Sequence, residues 1–432
     1  MKFKRHTPRF VQVLVVAAFA VISLTATAQG NNFNVLHNFG GSGDGTLPSG
    51  PPVLDGTGNL YGVTFDGGSG VGCNDDYGCG VAFELTPGSG GWTETILHNF
   101  DSYTDGDGPI GPVVLDLAGN LYSVTGGGGP PGDDGTVVEL SRADGWASTI
   151  IYDSGSRVGL LSDKAGNLYG FLGGGQYHAG AIGELSPGTD GWVYAQLSSF
   201  GSNGGRDGWE PLAPLSWDAK GDLYGTTYSG GGIGLPNCIQ GDGCGVAFEL
   251  SRNRSATAAG LWTYHVMHRF ASTPTDGQNP NGGLTLDSQG NAYGTTPVGG
   301  AQCAPVGCGT IFKLTPFPAG PWLWTETILY DFPAAPPCSL GCAPAYNLVF
   351  DKAGNLYGVA GGGDLSCGGT CGVVFKMTPG QNGQWSYSVI HEFDGTDGSG
   401  PLGLAIDGNG NLFGATMTGG TYNLGVAFEI TP

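Results

Sequence analysis

The stretch GNLYG at Gly58–Gly62 occurs in seven near-identical copies along the chain, three unchanged and four with one substitution. The other copies lie at Gly119–Ser123, Gly166–Gly170, Gly221–Gly225, Gly290–Gly294, Gly354–Gly358 and Gly410–Gly414. An Asp precedes each copy by three residues, so the repeated element reads D-x-x-G-N with an aromatic residue shortly after. Such an Asp accepts hydrogen bonds from turn amides, and we expect Gly and Asn to take the positive-φ positions of the turn. We therefore predict a tight turn at each copy, feeding a short strand whose aromatic residue packs between neighbouring sheets.

Each copy is part of a longer unit that contains four strand-sized runs. In the first unit these runs are PPVLD (51–55), GNLYG, GVAFELTP (80–87) and WTETILHNF (92–100). Apolar and polar residues alternate with period two, which is typical of half-buried strands. Seven such units predict an all-β fold, a seven-bladed β-propeller with four-stranded blades.

The two ends of the chain share one unit. The chain stops at GVAFEITP (425–432), which leaves the last unit without its fourth run, and FNVLHNF (33–39) matches that missing run. Pairing this first strand with the last blade closes a ring and removes open sheet edges. We therefore predict one propeller domain at 29–432, with its last blade closed by the N-terminal strand. The predicted blades are about 47–100, 109–153, 157–200, 211–270, 280–332, 344–393, and 401–432 plus 33–39.

These runs resemble a known family. The W…T-x-L-H-x-F, D-x-x-G-N-L-Y-G and G-x-x-F-E-L-T-P patterns are similar to the GloVer-type tandem repeats of secreted bacterial proteins. The resemblance implies a β-propeller-like extracellular protein and implies no particular activity. The D-x-x-G-N-L-Y stretch is also similar to the core of other propellers, among them an antibiotic lyase, over the first two strands of a blade.

Residues 1–28 have the composition of a secretory signal peptide. The basic segment MKFKRHTPR precedes the apolar run VQVLVVAAFAVISL (11–24), and a small-x-small site, ATA (26–28), follows. We predict cleavage there, with an N-terminal membrane anchor as the alternative. No later segment is long and apolar enough to cross a bilayer. The expected location is therefore secreted, extracellular or periplasmic.

The acidic composition excludes one class of partner. The formal net charge is −21, and removal of the basic leader makes it more negative. Such a surface repels phosphate backbones, so we predict no nucleic-acid binding. We expect a monomer without a cofactor.

The ten cysteines form five close pairs, which predict local disulfides in an oxidising compartment. The pairs are Cys73/Cys79, Cys238/Cys244, Cys303/Cys308, Cys338/Cys342 and Cys367/Cys371. Zinc is the alternative for the last two pairs, but no histidines accompany them. With strands a to d counted outward in each blade, all five pairs fall in b–c or d–a loops. These loops emerge on one face of the ring, here called the loop face, and the D-x-x-G-N turns emerge on the other, the turn face.

Loops at the end of a rigid scaffold are the usual place for binding, so candidate contacts are sought on the loop face. The candidate ligand-binding residues are Trp209, Asp207, Asp105, Asp107, Tyr177 and His178. Asp101, Asp105 and Asp107 have calcium-loop-like spacing but lack a downstream bidentate Glu, so no metal is predicted. Four histidines, His37, His98, His268 and His391, share one repeat position and are expected to lie far apart.

Two functions of different class remain open at this point. The favoured one is a non-catalytic extracellular binding or scaffold propeller with a carbohydrate or protein ligand on the loop face. The alternative is a propeller enzyme, a polysaccharide lyase, glycosidase or other lyase, that uses carboxylates at the channel mouth. No catalytic residue can be selected from the sequence.

Overall fold

The computed structural model describes residues 31–41, 43–73, 77–129, 135–153, 158–232, 238, 243–253, 262–271, 273, 275–302, 307–317, 324–333, 338, 340–363 and 371–432. Residues Asn31–Pro432 form one compact unit. The predicted signal peptide lies outside the described residues. No helix within the described ranges has the length and apolar composition needed to cross a membrane.

The described strands form the seven four-stranded antiparallel blades that the repeats predict. The first strand, β1 (Asn32–Asn38), belongs to the last blade. Blade 1 contains β2 (Gly45–Pro48), β3 (Val53–Leu54), β4 (Leu60–Gly67), β5 (Val81–Gly88) and β6 (Gly91–Asn99). Blade 2 contains β7 (Asp107–Leu115), β8 (Leu121–Gly127), β9 (Val137–Ser141) and β10 (Ala147–Tyr152). Blade 3 contains β11 (Leu161–Ser162), β12 (Leu168–Phe171), β13 (Ala181–Gly188) and β14 (Gly191–Ser199).

The remaining blades repeat this order. A helical turn, α1 (Ser202–Gly205), precedes blade 4, which contains β15 (Ser216–Trp217), β16 (Leu223–Thr227), β17 (Val246–Arg252) and β18 (Trp262–Arg269). Blade 5 contains β20 (Thr285–Leu286), β21 (Ala292–Thr296), β23 (Thr310–Pro316) and β24 (Trp324–Asp331), with β19 (Gly277–Gln278) and β22 (Val298–Gly299) pairing beside it. Blade 6 contains β25 (Cys342–Phe350), β26 (Leu356–Gly361), β27 (Val373–Pro379) and β28 (Trp385–Glu392), with a 3-10 turn at Gln381–Gly383. Blade 7 contains β29 (Ser399–Ile406), β30 (Leu412–Thr418) and β31 (Val426–Thr431), and β1 completes it.

The repeated D-x-x-G-N turn is held together by its Asp carboxylate. In blade 3, one oxygen of Asp163 accepts the N–H groups of Ala165 and Asn167 at 2.8 and 3.0 Å. The other oxygen accepts the Asn167 side-chain amide at 2.9 Å and the Tyr169 hydroxyl at 3.1 Å. The turn glycine has positive φ, 85° at Gly166, as expected. The Asn does not, because its side chain is used to bind the Asp instead; this part of the prediction is wrong.

The aromatic residue of each pentapeptide packs between blades, as predicted. The Tyr122 ring of blade 2 lies edge-on to Trp192 of blade 3, with centroids 5.7 Å apart. Corresponding contacts join Tyr61 to Trp146, Tyr169 to Trp262, Tyr224 to Trp324, Tyr293 to Trp385 and Phe413 to Trp92. Tyr357 of blade 6 is also buried against blade 7 but has no tryptophan opposite it, because Asn31, just before β1, occupies the tryptophan position.

The ring is closed by β1, as predicted. It pairs antiparallel with β31, from Asn32 opposite Thr431 to Asn38 opposite Val426. After β1, Phe39 is fully buried and its N–H donates to the Gly425 carbonyl at 3.0 Å. The same Phe-to-Gly bond follows the outer strand of other blades: Phe100 to Gly80, Phe200 to Gly180, Phe270 to Gly245, Phe332 to Gly309 and Phe393 to Gly372.

The disulfides are only partly those predicted. Cys73 is bonded to Cys79 and Cys238 to Cys244. Cys308 and Cys371 are also disulfide-bonded, while Cys303 and Cys367 lie outside the described residues. Cys338 and Cys342 are free, which corrects the predicted bridge between them. Burial and the neighbouring Cys338 thiol raise the pKa of Cys342 to about 12, and this disfavours the thiolate that oxidation requires.

Candidate functional site

The outer strands of adjacent blades meet at a recurring contact, here called the outer junction. Counting from the tryptophan position of each outer strand, the seventh residue of one blade faces the third residue of the next. From blade 7 to blade 6, the seventh residues are His37, His98, Tyr152, Ser198, His268, Tyr330 and His391. The third residues of the blades that they face are Glu94, Ser148, Tyr194, Tyr264, Glu326, Tyr387 and Phe33.

Large side chains fill several outer junctions by stacking. The rings of Tyr330 and Tyr387 lie 4.1 Å apart, nearly parallel, between blades 5 and 6. Tyr152 and Tyr194 stack at 4.9 Å between blades 2 and 3. The His391 and Phe33 rings stack at 3.8 Å where the ring closes. The outer junction is therefore a place where side-chain size decides whether adjacent blades leave a space.

An Asp from the following d–a loop completes the outer junction. Its carboxylate accepts the N–H of the residue after the buried Phe, as Asp105 does from Asp101 at 2.8 Å. The equivalent bonds join Gly40 to Asp44, Gly201 to Asp207 and Asp394 to Asp397. Where the seventh residue is histidine, its Nε2 lies beside this carboxylate: His37 and Asp44 at 3.0 Å, His98 and Asp105 at 2.6 Å, His268 and Asp276 at 3.1 Å, and His391 and Asp397 at 2.9 Å.

The histidines are on separate blades, as predicted, but their pairing with loop acids was missed. A signal was present, because an Asp-Gly dipeptide follows each of these histidines by six to eight residues. The Asp is buried in three of the four cases, Asp44, Asp105 and Asp276. All four Asp carboxylates lie beside the histidines at the outer junctions, so these acids do not meet at the centre of the ring.

The outer junction between blades 3 and 4 contains a pocket. Its volume is about 510 Å³, and it is lined by Ser198 and Ser199 of β14, the loop residues Ser202, Arg206 and Asp207, and Tyr264, His265, Val266 and Arg269 of β18. Ser198 is the smallest of the seventh residues, and histidine or tyrosine occupies that position in the other blades. The pocket therefore lies where a bulky side chain is replaced by a serine.

The walls of this pocket are polar and ordered. Asp207 accepts hydrogen bonds from the N–H and hydroxyl of Ser202, at 3.1 and 2.5 Å. The Tyr264 hydroxyl donates to the Asp207 carbonyl at 2.5 Å. Burial and the Asp207 charge raise the pKa of Tyr264, while burial lowers the pKa of His265. Arg206 and Arg269 are exposed at the rim, and they bring positive charge to an otherwise acidic surface.

The predicted aromatic contacts lie around the same loop. The Trp209 ring is half-buried against Gly201, just before α1, and Gly205, its last residue, so it packs partly under its own loop. The Tyr177 side chain also abuts Gly201 and is 50% exposed. His178 is exposed and has a left-handed backbone, with φ 55°. The structure thus brings Trp209 and Tyr177 together beside the loop that carries Asp207.

The other predicted contacts lie elsewhere. Asp105 is 3% exposed and uses its carboxylate on His98 and on the Asp101 N–H, so it does not face solvent. Asp107 lines a separate cavity of about 280 Å³ beside the Cys73–Cys79 disulfide. The Asp101 carboxylate accepts the Tyr103 N–H at 3.0 Å. Among the described residues, these three acids do not converge into a set of metal ligands.

The turn face contains a cleft of its own. The D-x-x-G-N turns of blades 2, 3 and 4 border a cleft of about 970 Å³. Lys164, Lys220 and Arg252 line it, together with Leu117, which is fully exposed. The Trp217 indole N–H at this cleft donates to the Ser162 carbonyl at 3.1 Å, which joins blades 3 and 4.

The fold and its repeats define the class of protein, a seven-bladed β-propeller assembled from copies of one sequence unit. A model of the Gloeobacter/Verrucomicrobia repeat matches residues 152–370 and 240–432. The chain therefore belongs to the Gloeobacter/Verrucomicrobia repeat family, which confirms the resemblance seen in the sequence. No curated protein sequence matches it.

Solved structures with a related fold share little sequence with the chain. A luciferin-regenerating enzyme is 15% identical, with a TM-score of 0.43, over 77% of this chain and 92% of that one. The polysaccharide lyase Uly1 is 9% identical, with a TM-score of 0.49, over 91% of both chains. A functionally unknown protein from Desulfotomaculum acetoxidans DSM 771 is 12% identical, with a TM-score of 0.42, over 80% of this chain and 89% of that one. These likenesses carry no argument about activity.

Proposed function

We propose that this protein is a secreted, non-catalytic binding propeller that binds carbohydrate in the pocket between blades 3 and 4. The observation that carries the proposal is the pocket of about 510 Å³ at the outer junction where Ser198 stands in place of a junction-filling His or Tyr. Disulfides in the loops support an oxidising, extracellular compartment. Cleavage after residue 28 and a monomeric state belong to the same proposal.

The chemistry of the pocket suits a saccharide. Hydroxyl groups of sugars both donate and accept hydrogen bonds, and the pocket offers serine hydroxyls, the His265 imidazole and the guanidinium groups of Arg206 and Arg269. Two exposed arginines further favour a sugar that carries a carboxylate or sulfate, because the guanidinium fork binds such groups in a bidentate manner. The neighbouring Tyr177 offers an exposed ring on which an apolar sugar face can stack.

The fold offers a direct test of this pocket. A Ser198→Tyr variant is expected to obstruct it, because Tyr264 stands opposite, as Tyr194 and Tyr387 do at the two junctions where tyrosines already stack. Binding on a glycan array should be lost in Ser198→Tyr and kept in Ser198→Ala, which leaves the space open. Both variants should melt close to the parent.

Three outcomes would overturn the proposal. Binding by Ser198→Tyr equal to that of the parent would place the ligand elsewhere. If the parent protein binds a protein partner but no glycan, the ligand is a protein and not a carbohydrate. Steady cleavage of a polysaccharide by the purified protein, abolished by changing one acid, would establish the alternative enzyme function.

A further inference from the structure

We propose that two outer junctions are metal sites that each bind one divalent transition-metal ion, with zinc the best fit, and join adjacent blades. The first site is His37, Asp44 and Glu94, between blades 7 and 1; the second is His268, Asp276 and Glu326, between blades 4 and 5. In each site the His and Asp come from one blade and its d–a loop, and the Glu comes from the outer strand of the next blade. This inference does not depend on the proposed carbohydrate pocket.

The distances from each histidine nitrogen to the two carboxylate oxygens fit a tetrahedral ion, and the three ligand atoms of each site all lie within 4.8 Å of one another. His37 Nε2 lies 3.0 Å from an Asp44 oxygen and 3.5 Å from a Glu94 oxygen. His268 Nε2 lies 3.1 Å from an Asp276 oxygen and 3.6 Å from a Glu326 oxygen. Two ligands of a tetrahedral zinc are roughly 3.3–3.4 Å apart when metal–ligand distances are about 2.0–2.1 Å. One imidazole and two carboxylates make a donor set that zinc accepts, with a fourth position left for water.

The second carboxylate oxygen of each glutamate gives independent support for a metal site, because it has no hydrogen-bond partner among the described residues. Glu94 Oε1 and Glu326 Oε1 are both inaccessible to solvent and make no hydrogen bond within the described residues. A buried carboxylate oxygen without a partner is costly. A metal ion bound by the same carboxylate would offset this cost, because its positive charge stabilises a carboxylate that is buried away from water.

Each site can be reached from solvent. The His37 and His268 side chains are 22% and 14% exposed, so an ion has a route of entry.

The chain contains its own controls. His98 and Asp105 form the same pair between blades 1 and 2, but Ser148 stands where the glutamate would be. His391 and Asp397 form the pair where the ring closes, but Phe33 takes the glutamate position. These two junctions have two candidate ligands each, and we expect them not to retain zinc.

The test is zinc stoichiometry in the full chain. Protein in which Cys338→Ser and Cys342→Ser remove the two free thiols is stripped with a chelator, titrated with zinc by calorimetry and inspected by native mass spectrometry. We expect two ions per parent chain, one in Glu94→Gln, one in Glu326→Gln, none in the double variant and two in His98→Gln. Circular dichroism shows whether each variant is folded, and the near-isosteric Gln keeps the packing.

Thermal melting gives a second readout. Zinc should raise the melting temperature of the parent, raise it less in each single variant and leave the double variant unchanged, because only an ion bound to the folded state stabilises it. A parent that binds no zinc at micromolar concentrations would overturn the proposal. Two ions retained in the double variant would equally overturn it, since the metal would then be bound elsewhere.

Discussion

Deleting residues 31–39 is expected to open the ring, because it removes the strand that closes blade 7. The deletion leaves the β31 edge, Val426–Thr431, without its partner. It also removes Phe39, which is fully buried against Phe83 at a centroid distance of 5.0 Å. Loss of the Phe33 ring adds an unfilled space beside Phe428 and Phe393.

The loss of stability can be estimated first for one residue, Phe39, which directly follows β1. Phe39→Ala alone is expected to cost about 3–5 kcal/mol, as for other buried phenylalanines. For about 400 residues at about 2.1 cal/mol/K each, the unfolding entropy is about 0.8 kcal/mol/K, so about 4 kcal/mol lowers the melting temperature by about 5 °C. The deletion adds the loss of the whole β1–β31 ladder, at roughly 0.5–1.5 kcal/mol per hydrogen bond, and should lower it by considerably more.

Differential scanning calorimetry measures both variants, with Phe100→Ala as the matched control. Phe100 is the equivalent residue of blade 1, equally buried but not on the closing strand. Phe39→Ala and Phe100→Ala should destabilise by similar amounts, whereas only the deletion variant should regain stability from an added peptide of sequence NNFNVLHNF. A deletion variant that melts within a degree or two of the parent would refute closure by β1.

Three further predictions concern pH, turns and disulfides. In chelator, the melting temperature should fall as the pH rises from about 5 to 8. Burial and the Asp44 charge raise the folded-state pKa of Glu94 to about 8, and, against the opposing effect of burial, the hydrogen bond to Asp44 raises that of His37, so the stability that these groups give at low pH is lost as they deprotonate. Glu94→Gln should weaken this dependence in a melting series without abolishing it, because burial also raises the pKa of Glu326 to about 8. Asp351→Ala should lower the free energy of unfolding by about 1–3 kcal/mol, measured by denaturant unfolding. The reason is that the N–H groups of Ala353 and Asn355 and the Tyr357 hydroxyl lose their acceptor. An unchanged unfolding midpoint would show that water replaces the carboxylate. Reducing the Cys73–Cys79 and Cys238–Cys244 bridges should lower the free energy of unfolding by about 2 kcal/mol each. Hydrogen exchange should then increase first in the b–c loops and only later in the strands of the blades. An increase in exchange at the same time in loops and strands would contradict this order.

The fold was predictable because its determinants are local and repeated. The Asp163 turn, its glycine and Tyr169 lie within seven residues, and the same short pattern recurs in every blade. Closure was predictable because FNVLHNF is recognisably a displaced copy of the outer strand. These inferences need no knowledge of how one blade faces the next.

The candidate sites depend on the register between blades, which the sequence does not reveal directly. Asp105 was predicted to contact ligand, but it is buried beside His98. Glu94 was not singled out, although it lies 3.5 Å from His37 of another blade. Ser198 attracts attention only once the seventh residue of one strand is known to face the third residue of the next. Side-chain size at that position, rather than any motif, determines which outer junction contains a pocket.

Closure by β1 also constrains the order of folding. Asn32 pairs with Thr431, so two segments far apart in the sequence must meet before the last blade is complete. Contacts of such high sequence separation carry a large loop-closure entropy and are associated with slow folding. During synthesis the first strand therefore has no partner until the segment that contains β31 has been made. An unpaired strand that persists during translation is prone to aggregation, so a holding chaperone would favour correct closure.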